Sequence, residues 1–361
     1  MNNFPKFFLN EDWKGSALAA RAYLGAFGKH PGWNDHLDDI GLVTSSLVEA
    51  RSILYGGIAH QIEHAAWEKA GADKVMPEFQ HVVHWRRLNE SLTGLIWSSQ
   101  DGKGRALYPM IILAHCVTRS FSWLANELLP TLEEVKTKCR ATTSSAVVIA
   151  HLKAAEKTLQ SRVPSSARVS SGPGLGIPAW AAHFTREPEA LRRVLHHLRR
   201  NLAAFTPGSL EWCKGEKAAL SRCLRLPQIP GARPAESLNA WISILTTQLD
   251  PAVPVFGLLP TNQTWLDVIV GEPGPADFFL LRALPAALPF VTDIPYQLDS
   301  ESSNQDEGLF ASLAQGGLPE VSCLNGQTVK VNRDLAAKWL VRFRPGSRPG
   351  FLSRLFAFRN S

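Results

Sequence analysis

Three stretches, FQHVVHWRRL (79–88), LTGLIWSS (92–99) and PMIILAHCV (109–117), decide the fold class. Each is short and rich in aromatic and β-branched residues, which suit a pleated, half-buried backbone. Asn89-Glu90-Ser91 separates the first two, and Gln100-Asp-Gly-Lys-Gly-Arg105 separates the last two, so turn chemistry falls between apolar runs. The pattern predicts an antiparallel meander. His81 and His84 stand three apart on one strand, which places them on opposite faces and keeps them from serving one metal without help from other elements.

Outward from this meander, helical and extended patterns alternate. Before it, Leu47, Ala50, Leu54, Ile58, Ile62, Ala65 and Ala66 recur at helical spacing and predict a helix over 45–70, weakened in its middle by Gly56-Gly57. The run Gly25-Ala-Phe-Gly-Lys-His-Pro-Gly-Trp-Asn-Asp-His36 reads as a tight loop, since glycine opens backbone angles, Pro31 fixes its own φ and Asp35 can cap a turn. After the meander, helices are expected at 122–138, kinked or ended by Pro130, and at 144–160. VPSSARVSSGPGLGIP (163–178) has the composition of a linker or surface loop. Helices are then expected at 187–204 and 214–225, with Pro227, Pro230 and Pro234 breaking the chain before strands at 238–249, 253–259, 264–271 and 277–283. DSESSNQDEG (299–308) reads as a solvated loop, and 309–316 and 333–342 as short helices.

The fold class that follows is α/β. An antiparallel or mixed sheet flanked by helices fills an N-terminal domain over 1–160. A linker or surface loop spans 161–180, a second mixed α/β part with a helical segment and strands spans 181–340, and a basic aromatic tail spans 341–361.

Composition narrows the function classes. With 361 residues, 45% hydrophobic and 19% charged, the chain is an ordinary globular sequence. No run approaches ~18 consecutive apolar residues, and charge interrupts the N-terminus too early for a secretory signal, so a cytoplasmic protein is expected. Cys116, Cys139, Cys213, Cys223 and Cys323 are scattered, with no Cys-x-x-Cys pair, which argues against a disulfide framework and a zinc knuckle. The formal charge is +6, and Arg342, Arg344, Arg348, Arg354 and Arg359 in the acid-free tail account for five of those charges. A basic field gathered in one tail points to an anionic partner or surface, not to a duplex-binding face. Phe343, Phe351, Leu352, Leu355, Phe356 and Phe358 alternate with those arginines, so the tail suits a partner groove, its own core or, less readily, an anionic membrane.

One chemical motif stands out. His60-x-x-Glu63-His64 on a helix puts two imidazoles one turn apart beside a carboxylate, the arrangement of a zinc hydrolase, which needs a further acidic ligand downstream near Glu133 or Glu134. Gly172-Pro-Gly174-Leu-Gly176 and Gly102-Lys-Gly104 lack the Lys-Ser/Thr of a phosphate loop, and no Gly-x-Ser-x-Gly elbow is present. The arginines of the 187–204 helix, Arg192, Arg193, Arg199 and Arg200, read as a solvated face with leucines inward.

Gly28-Lys29-x-Pro31-x-x-x-Asp35 resembles the opening motif of the TagF (ImpM) family, accessory proteins of bacterial type VI secretion, with His36 in place of the usual phenylalanine. Further matches fall in the family's order. Asp101-x-x-Gly104-Arg105-x-x-Tyr108-Pro109-Met110 is similar to its Asp-x-x-Gly-Arg-x-Phe-Pro-Leu segment with one residue more. Ser237-Leu238-x-x-Trp241 partly resembles its Ser-Leu-Trp-Trp element, and Val253 to Pro260 (VPVFGLLP) resembles the following strand. The resemblance implies an α/β regulator of a type VI secretion-like or related envelope machine. Such a protein acts by binding, with no catalytic residue, cofactor or metal of its own, and its partner is a forkhead-associated scaffold protein. It marks two loops as the partner-binding surface, with Lys29, Pro31, Trp33, Asp35 and His36 on the first and Arg105 and Tyr108 on the second. Local chemistry offers a structural role for the same residues, with Asp35 capping the turn or pairing with Arg105 and Trp33 closing the core.

Overall fold

The structure is a computed structural model and describes residues 22–37, 39–87, 90–117, 121–161, 188–207, 221–228, 233–291 and 293. The expected linker beyond Ser161, the polar loop at 299–308, the short helices at 309–316 and 333–342, and the basic aromatic tail lie outside the described residues.

One seven-stranded antiparallel sheet organises the chain. Its strands are β1 (Ala22–Gly28), β2 (Gln80–Arg86), β3 (Glu90–Trp97), β4 (Met110–Val117), β5 (Ser221–Pro227), β6 (Val255–Pro260) and β7 (Trp265–Gly271), in the order β1-β4-β3-β2-β6-β7-β5. The meander β2–β3–β4 forms as expected, with His84 opposite Thr93 and Ile96 opposite Ile111. The helices are α1 (Ser45–Glu63), α2 (Ala66–Ala70), α3 (Leu129–Arg140), α4 (Ser145–Ser161), α5 (Pro188–Leu202) and α6 (Pro234–Gln248). The protein is therefore α/β, with an antiparallel sheet flanked by helices. β2 pairs with β6 from His81↔Pro260 to Arg86↔Val255, so one sheet runs through both halves that composition sets apart at 161–180.

Strand alternation sends side chains to two cores. Ala26, Val82, Leu95, Ile112, Val255 and Val268 face α3, α4, α5 and α6, while Phe27, Val83, Ile96, Ile111, Phe256 and Ile269 face α1 and the 3-10 helix Pro275–Leu281. α1 contributes Leu47, Leu54 and Ile58 to the second core, each worth about 1.5–3 kcal/mol of burial. Thr44 caps α1 by accepting the Leu47 N–H at 3.2 Å.

Several elements differ from the sequence reading. The loop begins later than expected, because Gly25 to Gly28 complete β1. The helix expected over 45–70 splits after Glu63, where Ala65 adopts a left-handed φ of 48° and α2 turns to bury Trp67. Gly57 also seats α1, since a Cβ there would overlap the Phe278 ring of the 3-10 helix. A π-helical turn at Leu124–Leu128 precedes Pro130, whose missing N–H interrupts the α-helical ladder.

The segment expected as a helix over 214–225 runs into β5 (Ser221–Pro227), with Leu224 and Leu226 on one face and Cys223 and Arg225 on the other. Conversely, the strand expected at 238–249 is α6. Pro234 starts it, the Glu236 carboxylate accepts the Arg233 N–H at 2.9 Å, and Leu238, Trp241, Ile242 and Leu245 repeat at helical spacing. The strand expected at 277–283 is the 3-10 helix, opened by Pro275 and by Asp277 accepting the Gly274 N–H at 2.7 Å.

Candidate functional site

The loop after β1 and the loop between β3 and β4 meet at one buried carboxylate. Gly28 ends β1 at a φ of 114°, in a place where any Cβ would overlap the Pro109 carbonyl, so β1 and the chain entering β4 approach closely. The chain then turns back, the Lys29 N–H donates to Pro109 O at 3.2 Å and the Leu37 N–H to Gly28 O at 2.8 Å. The second loop, between β3 and β4, folds around Asp101. Its Oδ1 accepts the backbone N–H groups of Lys103 (2.9 Å) and Arg105 (3.0 Å), an aspartate turn that Gly104, at φ 78°, lets close.

Asp101 Oδ2 joins the loops. It accepts Lys29 Nζ at 2.6 Å and Arg105 Nε at 2.8 Å, and the carboxylate and Lys29 are both shut away from solvent. Above this, the Gly102 N–H donates to Trp33 O at 2.7 Å and Arg105 Nη2 to Asn34 O at 2.9 Å. Burial alone would raise the Asp101 pKa. The Lys29 ammonium, the two backbone N–H groups and the Arg105 side chain outweigh it and hold the carboxyl well below the usual range.

Asp35 stands outside this knot. Its side chain is 70% exposed and lies 3.3 Å from Arg105 Nη2, 3.5 Å from Lys29 Nζ and 3.0 Å from His36 Nδ1. Its slight burial opposes ionisation, but the neighbouring His36, Lys29 and Arg105 lower its pKa. His36 is half-buried edge-on to Tyr108 (5.0 Å between centroids) and tilted against Tyr55 (5.4 Å), and Tyr55 stacks on Tyr108 at 5.5 Å. Burial and the Lys29 charge lower the His36 pKa, so the ring is neutral at pH 7.

The other side of the first loop is equally fixed. The Gly32 N–H donates to His30 Nδ1 at 3.0 Å, which leaves Nε2 as the donor to Cys139 O at 2.9 Å, and burial keeps this imidazole neutral. Trp33 sets its ring edge-on to His30. Pro31 lines a pocket of about 170 Å3 between this loop, residues 98–100 and the end of α3.

All seven residues that the sequence marks therefore belong to one locality, with Lys29 buried in the knot, Asp35 and Arg105 at the surface, and Pro31, Trp33, His36 and Tyr108 between. Asp101, the residue that joins them, is not among those seven, although Asp followed by Gly three residues on is a turn signal. Tyr55 and the Cys139 carbonyl carry no local signal and arrive only through packing.

The zinc arrangement is not assembled. The His64 ring donates to the His60 carbonyl at 2.9 Å and caps α1. Glu133 and Glu134 sit on α3, across the sheet from α1, and pair with Lys136 and Lys138, each at 2.6 Å. Among the described residues no group of three or more His, Cys, Asp or Glu side chains is placed to hold a metal ion. His81 and His84 are buried on opposite faces, and desolvation lowers their pKa values to about 3 and about 4.

No family profile matches the chain, and no curated protein matches it. Among solved structures, the crystal structure of PA0076 from Pseudomonas aeruginosa PAO1 is similar over 72% of this chain and 93% of its own, with 15% sequence identity and a TM-score of 0.35.

Proposed function

We propose that this protein acts by binding a protein partner through the surface of the two Asp101-linked loops, as a cytoplasmic accessory or regulatory component of a type VI secretion-like or related envelope machine. One observation carries this reading. Lys29 and Asp101, 72 residues apart, bring two TagF-like motifs into a single rigid unit. Its buried ion pairs hold the backbone, while Asn34, Asp35, Lys103, Arg105 and Leu107 face solvent, Leu107 at 61% exposure. A preorganised surface with an exposed leucine beside arginine is suited to a protein contact, because little conformational freedom remains to be lost on binding. This role asks no bond-making of the loops. Among the described residues no helix is long and apolar enough to cross a membrane.

Lys29 is a poor probe of this surface, since reversing a buried charge beside Asp101 would disrupt both loops. The double substitution Lys103→Glu, Leu107→Glu leaves the knot intact. With thermal unfolding unchanged, it should abolish capture of a forkhead-associated scaffold protein that the wild type binds; undiminished capture would refute the assignment.

A further inference from the structure

The pocket beside the knot is walled by His30 and Pro31 of the first loop, Ser99 and Gln100 leading into the second, and Cys139 and Arg140 at the end of α3. Its volume of about 170 Å3 is below the ~300–1,000 Å3 typical of cofactor and drug-sized sites, so it has room for one side chain. The wall is stiff because both His30 ring nitrogens are already bonded. Its unspent side chains are one donor-only guanidinium beside a hydroxyl and an amide that can each donate or accept. Among the described residues the Arg140 guanidinium and the Ser99 and Gln100 side chains have no hydrogen-bond or ion-pair partner, while the nearby Asp101 carboxylate is committed to Lys29 and Arg105. A guanidinium with free N–H groups matches a carboxylate in shape and charge.

We propose that this pocket receives a glutamate or aspartate side chain of the partner protein, with Arg140 as its anchor and Ser99 and Gln100 as additional donors. The inference rests on the reading of the adjoining loops as a partner surface, and it names the chemistry that surface selects: an acidic segment.

The test titrates the full-length protein with acetyl-Glu-Leu-amide and acetyl-Gln-Leu-amide while following the Trp97 indole N–H by NMR, since Trp97 lines the same pocket. The glutamyl peptide should shift that signal saturably. Loss of its charge in the glutaminyl peptide should weaken binding by about tenfold or more, and Arg140→Ala should remove it. No shift with the glutamyl peptide, equal binding of both peptides, or undiminished binding by Arg140→Ala would overturn the proposal. Scaffold capture separates the two readings. If Lys103→Glu, Leu107→Glu abolishes capture and Arg140→Ala leaves it unchanged, the loop surface stands and the pocket assignment fails; if neither alters capture, the loop surface itself is refuted.

Discussion

Asp101 and Asp267 are both buried carboxylates held by arginine, yet the protein treats them in opposite ways. Asp101 receives an ammonium, a guanidinium N–H and two backbone N–H groups, and its pKa falls. Asp267, in β7, is bound bidentately by Arg225 of β5 at 2.7 and 2.8 Å, and Arg225 also donates to the carbonyls of Ala283 and Leu288. At Asp267 desolvation exceeds the stabilisation it receives, chiefly from that guanidinium, and its pKa is raised to about 6. Asp101 lies in a surface loop with four donors and Asp267 lies deep in the sheet with fewer, so donor number and depth together decide which effect wins. The first arrangement shapes a surface; the second ties an edge strand to its neighbour and to the chain that follows.

The contrast can be broken most severely at the interior pair. Asp267→Ala leaves Arg225 buried without its counter-charge and should cost about 3–5 kcal/mol, read as a lower urea midpoint at unchanged slope. Replacing both partners, Arg225→Met with Asp267→Leu, should recover most of that loss. Equal destabilisation by the single and double variants would show that the interior pair is not held as described.

Asp101→Asn should act next most strongly, and locally. Residues 29–36 and 98–108 should lose amide exchange protection while β2 and β6 keep theirs, with reduced scaffold capture. Uniform loss across the sheet would mean that the knot belongs to the global folding unit.

The two carboxylates also predict opposite pH slopes. Asp101 has a folded pKa below the ordinary 3.8, so its contribution is present above that value and is lost as acid protonates it in the folded state. Asp267 has a raised folded pKa of about 6, so its contribution is full below 3.8 and declines as pH rises through about 6. In urea titrations, Asp101→Asn should flatten the loss of stability in strong acid, and the Met/Leu replacement of the interior pair should remove a decline between about pH 4 and 6. An unchanged profile in either variant would reject that assignment.

The smallest effect belongs to Asp35→Ala. Its exposed contact with Arg105 should be worth about 0.2–1 kcal/mol at most, and less at high salt. A larger loss would place the centre of the knot at Asp35 instead of Asp101.

Much of the fold was legible locally. Residues 79–117 alternate strand composition with turn residues, and the structure forms that meander within about two residues of each expected boundary. Between 214 and 283 the strands expected at 253–259 and 264–271 form as β6 and β7, while the segments at 214–225, 238–249 and 277–283 differ because their apolar runs are short and rich in residues suited to either state. Leu238, Trp241, Ile242 and Leu245 satisfy a helical period, but Trp241 and Ile242 also suit a strand. The starter Pro234 and the Glu236 cap decide between them. At the site, the motif residues lie together in one locality, while their division into buried and exposed members is not legible from the sequence. Lys29 looks like a surface cation until Asp101 is placed beneath it.

By itself the sequence determined the periodicities, the turns and the two motif loops, because these depend on backbone preferences and on neighbours a few residues away. Only the tertiary structure decided that β2 and β6 belong to one sheet, that Asp101 takes both Lys29 and Arg105, and that His60 and Glu133 lie across a sheet from each other. Those relations depend on which distant surfaces bury one another, and no local pattern encodes the partner of a charge or the far side of a strand.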